Sequence, residues 1–236
     1  MKLLLCSDFH GIGINYLNRF FDGFSGKNCL FVGYACEDDE TMFESGVKDK
    51  LIALGFNVID MTTDYKFNDK IDMIYSRGGN ATKVLHYLYK YNQFNKIKEL
   101  VEKQNVLYVG QSAGALIAGS DTEWTLRTEP YEIELKKLYG KDALKGFGWV
   151  NKMIFVHSSR YRMLWDDEEV DGSHDYRVYN KEFYSEYLKD LKLYKKGTYI
   201  TLGNNQVLYQ NGNKQKVLTY DWSHIPVADL SRIKNI

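Results

Sequence analysis

At 236 residues, 44% hydrophobic and 26% charged, the chain has the make-up of a soluble globular protein able to bury an ample core. Lysine plus arginine equals aspartate plus glutamate, 31 against 31, so the charge gives no reason to expect a nucleic-acid partner or an anionic membrane. Three cysteines (Cys6, Cys29, Cys36) lack the paired spacing of a zinc site and read as reduced thiols, Cys6 and Cys29 within strands.

The opening MKLLLCSD holds too few apolar residues for a signal-peptide core or a membrane span. Lys2–Cys6 is therefore expected as the first strand of a parallel sheet, in a cytoplasmic protein. Residues 15–24 are helix-like, with Tyr16, Leu17, Phe20 and Phe21 on one side. The Gly11-x-Gly13 pair before them lacks the third glycine and the distal acidic partner of a dinucleotide site, and reads as a tight turn. Residues 28–34 form a second strand, 39–54 an amphipathic helix ended by Gly55, and 56–60 a third strand.

Residues 71–75 are a strand, Ser76-Arg77-Gly78-Gly79-Asn80 a glycine-rich turn, and 81–89 a helix; 95–103 is a charged surface helix. Glycines in such a turn let the backbone pass close to a neighbour and aim its amides outward. A short helix is expected over 132–138 and a short strand over 124–129. The strand 152–156 ends at His157, and a helix covers 179–193. Strands at 198–202 and 206–210 flank Gly203-Asn204-Asn205, and 216–220 pairs back in a hairpin. Neither a linker nor an internal repeat divides the chain, which reads as one α/β domain.

The chemistry concentrates at 106–119, VLYVGQSAGALIAG. An apolar run, a turn Gly110-Gln111-Ser112-Ala113-Gly114 and a run of small apolar residues give strand, sharp turn and helix, the nucleophile-elbow pattern. A serine at the apex takes a strained backbone, so its flanking positions must lack bulk for strand and helix to approach. The turn lifts the hydroxyl above the sheet edge, where a helix amino end favours developing negative charge. The same letters also describe a plain glycine-rich turn with an incidental serine. If strand 71–75 lies beside the elbow strand, its loop emerges at the same edge. The Gly79 and Ala113 amides then form the two halves of an oxyanion hole. His157, just past an apolar strand, faces that crevice; His174, in an acidic loop, is a second candidate.

Four features in order, SRGGNATKVLHYL, YVGQSAGALIAG, TLRTE and FGWV followed by VHSSRYR, resemble the serine peptidases of the aspartyl dipeptidase (peptidase E) and cyanophycinase family. The resemblance covers nearly the whole chain. It implies a class I glutamine amidotransferase-like, flavodoxin-like fold: a mostly parallel sheet flanked by helices. By position it implies Ser112 as nucleophile, His157 as base and Gly79 as an oxyanion donor. The family's catalytic glutamate aligns with Leu202-Gly203-Asn204-Asn205-Gln206, where no carboxylate stands and Asn204 is the nearest match. An asparagine oxygen can orient an imidazole but cannot stabilise its cation as a carboxylate does. Weakened catalysis is one expectation; a substitute carboxylate from Glu129 or the 166–169 loop is another.

Asn80, Gln111, Arg127 and Glu129 are the candidate substrate-binding residues, and Arg160 and Arg177 further carboxylate binders. The reading is a serine hydrolase acting on a small peptide or other amide, without cofactor or metal, as a monomer or homodimer. The alternative is an impaired relative that binds a peptide or a protein partner. An α/β-hydrolase esterase fits less well, lacking an acid-bearing strand end between Ser112 and His157. Glutamine amidotransfer lacks its cysteine.

Overall fold

The computed structural model describes residues 1–9, 13–35, 41–122, 130–163, 177–179, 181–221 and 227–229. Its centre is a seven-stranded sheet. Five parallel strands, β1 (Lys2–Cys6), β2 (Asn28–Val32), β3 (Asn57–Asp60), β4 (Met73–Ser76) and β5 (Leu107–Gln111), are extended by an antiparallel hairpin, β10 (Gln206–Asn211) and β11 (Lys214–Thr219). The spatial order is β11-β10-β1-β5-β4-β2-β3. Strands 71–75 and 106–109 of the sequence reading are thus neighbours, β4 beside β5.

The inner parallel strands β1, β2, β4 and β5 are mostly apolar because both faces are covered, whereas the edge strand β3 leaves Asn57 and Asp60 exposed. Along β1, Leu3 and Leu5 enter one core while Leu4 and Cys6 enter the other. On the first face Val84, Leu85 and Leu88 of α2 (Ala81–Lys90) join Ile97 and Val101 of α3 (Phe94–Lys103). On the other, Leu17 packs with Val47 and Leu51 of α1 (Thr41–Ala53). Burial of each such Leu or Val side chain is worth about 1.5–3 kcal/mol.

Four features depart from the sequence reading. The helix expected at 15–24 is a 3₁₀ helix, Gly13–Arg19, closed by the Phe20 N–H bond to Leu17 O. The stretch after the elbow is a single turn, α4 (Ala113–Leu116). Tyr179, expected in a helix, ends β8 (Arg177–Tyr179), which pairs with both β7 (Tyr161–Met163) and β12 (Val227–Asp229); α6 (Lys181–Leu191) follows. Two ladder partners outweigh the local helical pattern there. The strand before His157, β6 (Met153–Phe155), is not part of the main sheet. It pairs in parallel with β9 (Tyr199–Thr201). The helix expected at 132–138 is α5 (Pro130–Tyr139). The strand expected at 124–129, Cys36 and His174 lie outside the described residues.

Candidate active site

The elbow is built by its glycines. A Cβ on Gly110 would sit 2.5 Å from Gly114 O, and one on Gly114 would sit 2.1 Å from Ser76 O. No side chain fits at either position, so the strand and the next turn close tightly on β4. Ser112 is left at φ 47°, ψ −106°, a conformation that costs on the order of 1–3 kcal/mol and persists only where its surroundings enforce it. Its N–H donates to Cys6 O at 2.9 Å, and its carbonyl accepts from Ala115 N (2.9 Å) and Leu116 N (3.0 Å). Because α4 is one turn long, its electrostatic contribution reduces to individual N–H groups. That of Ala113 is a first-turn group with no helical acceptor.

The β4–α2 turn lies against this serine: a Cβ on Gly78 would be 3.1 Å from Ser112 Cβ. Gly79 has φ +130°, and a Cβ there would lie 2.4 Å from Ala35 O, so only glycine serves. Asn80 caps α2, its Oδ1 accepting from Lys83 N (2.9 Å) and Thr82 Oγ1 (2.8 Å).

The parallel pairing of β6 with β9 brings both of their carboxyl ends to one place, Phe155 opposite Thr201. His157 follows one and Asn204 the other. Ser112 Oγ is 3.0 Å from His157 Nε2, and His157 Nδ1 is 2.8 Å from Asn204 Oδ1. With Nδ1–H donating to Asn204 Oδ1, Nε2 is left as an acceptor for the serine hydroxyl. Asn204 is 3% exposed, and its turn is held by Gly203 N–H to Gln206 Oε1 (2.9 Å) and Gln206 N–H to Gly203 O (2.9 Å). Asn205 is occupied elsewhere: its side chain donates to Tyr220 O at 3.1 Å. Of the two asparagines, Asn204 meets the histidine.

Gln111, beside Ser112, accepts through Oε1 from the Tyr75 phenol. Burial pushes the Tyr75 phenol well above its ordinary pKa, with Cys6 adding to the rise, so it stays a donor. Cys6 pairs with Gln111 in the β1–β5 ladder, but burial, then the Asp8 charge, raises its thiol, which stays protonated and unreactive. Arg160 is exposed three residues past His157 and Arg177 lies in β8; Arg127, Glu129 and the 166–169 loop fall outside the described residues. Sequence reasoning missed Ser7, whose hydroxyl accepts from His157 N at 2.9 Å and donates to Leu202 O at 2.8 Å. Its signal was its place directly after the apolar run of β1. Among the described residues no cluster of three or more His, Cys, Asp or Glu side chains could hold a metal ion, and no helix is long and apolar enough to cross a membrane.

Comparison with known proteins places these features in a family. A peptidase E of Haemophilus influenzae is 34% identical over 131 residues, 51% of this chain and 59% of that protein. A Drosophila melanogaster protein named probable alpha-aspartyl dipeptidase is 33% identical over 126 residues, 50% of this chain and 52% of its own. The matched stretch thus spans little more than half the length of these curated relatives. In fold, the chain is similar to the crystal structure of a candidate peptidase E from Listeria monocytogenes EGD-e, with a TM-score of 0.69 at 20% identity over 93% of this chain and 98% of that one. The sequence model of one family, peptidase family S51, matches residues 6–218, and the chain belongs to that family.

Proposed function

We propose that the chain is a serine peptidase for small peptides, with Ser112 as nucleophile, His157 as general base and Asn204 as the residue that orients the imidazole. The observation that carries this reading is the continuous bonded path from Ser112 Oγ through both ring nitrogens to Asn204 Oδ1, at 3.0 and 2.8 Å. In the reaction, Ser112 Oγ attacks the peptide carbonyl carbon while its proton passes to His157 Nε2. The resulting oxyanion is met by the amides of Gly79 and Ala113, each such donor worth about 3 kcal/mol of barrier. Collapse breaks the C–N bond, and the imidazolium returns the proton to the departing amine. A water then repeats the sequence on the acyl-serine and frees the acid. Asn204 fixes the tautomer but adds no charge, so the imidazolium forms with less help than a carboxylate would give.

This reading takes the chain as one catalytic domain working in the cytoplasm, as a monomer or homodimer, with no cofactor or metal. Gln111, Asn80, Arg127 and Glu129 are its candidate substrate contacts. The relatives' names make α-aspartyl dipeptides the first substrates to try. A panel of dipeptides, incubated with wild type, Ser112→Ala and His157→Gln, tests the proposal. Turnover by wild type that both variants lose is expected. No turnover, or turnover that survives Ser112→Ala, contradicts it. The absence of a carboxylate at position 204 favours a second reading, an impaired member that binds peptides. It predicts a calorimetric binding isotherm without cleavage.

A further inference from the structure

The three residues of the site arrive on separate stretches of chain, and one short segment touches all three stretches. Cys6 O accepts the Ser112 N–H at 2.9 Å. The next residue, Ser7, accepts the His157 N–H at 2.9 Å and donates its own hydroxyl to Leu202 O at 2.8 Å, two residues before Asn204. Ser7 is 1% exposed, so water does not compete for either bond. His157 needs this hold, because it sits at φ +57°, a left-handed conformation that non-glycine residues keep only when their surroundings impose it. Leu202 is tied in turn to the histidine strand, through Leu202 N–H to Phe155 O (2.7 Å) and Ser158 N–H to Leu202 O (3.0 Å).

We propose that Ser7 is a positioning residue that sets the register of His157 and Asn204 against Ser112. The proposal rests on the reading of Ser112 as nucleophile. Ser7 reaches no reacting atom; it fixes the backbone from which the imidazole projects. A shift of about 1 Å in a catalytic group can cost about 100-fold in rate. Losing the hydroxyl therefore lowers kcat while leaving substrate binding intact. A buried hydroxyl with a purely structural role would lower stability alone. Thr122 provides that comparison: its hydroxyl is equally buried and donates to Leu144 O at 2.8 Å, a carbonyl of the stretch after α5 rather than of the strands that carry the site.

The test is the rate at which a fluorophosphonate labels Ser112, with steady-state kcat and KM, in wild type, Ser7→Ala, Ser7→Thr and Thr122→Val. Each variant is checked for folding by circular dichroism. Labelling forms the Oγ–P bond, expels fluoride and passes the hydroxyl proton to His157. The expected result is a labelling rate and kcat at least tenfold lower in Ser7→Ala with KM within twofold, recovery in Ser7→Thr, and no loss of rate in Thr122→Val. Should Ser7→Ala fail to fold, Ser7→Cys, of similar size with a weak S–H donor, is read in its place. Wild-type rates in a folded Ser7→Ala, or an equal loss in Thr122→Val, overturn the role of Ser7 and leave Ser112 standing. No labelling of Ser112 in wild type overturns both readings.

Discussion

Asn204→Asp is expected to make the protein a faster catalyst. The two side chains are nearly isosteric, so an aspartate oxygen can take the place of Oδ1, 2.8 Å from His157 Nδ1. What changes is the charge beside the imidazolium that forms in the proposed mechanism. Two unit charges about 4 Å apart interact by about 4 kcal/mol at an effective dielectric of about 20. Against this stands the cost of ionising a carboxylate where Asn204 is now 3% exposed. A net gain of about 1.4–2.8 kcal/mol survives, a rise of about 10- to 100-fold in kcat. A second signature comes with it. The new charge favours the protonated ring, so the acid limb of the kcat/KM profile moves to higher pH than in wild type. Dipeptide hydrolysis followed across pH for both proteins gives both numbers. An unchanged or slower folded variant, with its acid limb in place, refutes the argument that the missing carboxylate limits this site.

Other consequences follow from the same geometry. Gly114→Ala puts a methyl 2.1 Å from Ser76 O, a backbone clash that cannot relax; urea denaturation is expected to show a loss of about 3 kcal/mol or more, and a wild-type midpoint contradicts it. Phenylalanine at position 75 removes the bond that orients Gln111 and, if that carboxamide reads substrate, raises KM with kcat nearly unchanged. His86, its side chain 3% exposed, is held below its ordinary pKa of 6.5 chiefly by burial, despite Glu134 Oε2 at 3.9 Å. The unfolded chain therefore takes up this proton first. Stability from His86 is complete above pH 6.5 and falls as pH drops below it, a slope that urea midpoints should show in wild type and lose in His86→Gln.

The sequence announced those parts of the site whose chemistry is local. Gly110, Ser112 and Gly114 lie within one turn, and the contact that demands glycine at 110 comes from Gly114 backbone four residues on, although the one at 114 comes from Ser76 O of β4. Gly78, which lies against Ser112 Cβ, could be read once 71–75 was placed beside the elbow strand, but the contact that demands glycine at 79 comes from Ala35 O, which that placement does not reveal. His157 was legible as the residue after an apolar strand, though that strand belongs to a separate two-stranded ribbon. Asn204 was found through resemblance, because nothing in its own neighbourhood marks it as a partner of a histidine 47 residues away. Ser7 was invisible for that reason: its bond to His157 spans 150 residues and its letter is common. The three-residue strands β7, β8 and β12 are too short to carry a periodic pattern, and their pairing depends on tertiary neighbours.

Mapping the site of fluorophosphonate attachment by peptide mass spectrometry tests the central claim most directly. The account predicts one adduct, on Ser112, formed by wild type and lost in His157→Gln. An unmodified Ser112, or modification that ignores the loss of the imidazole, contradicts it.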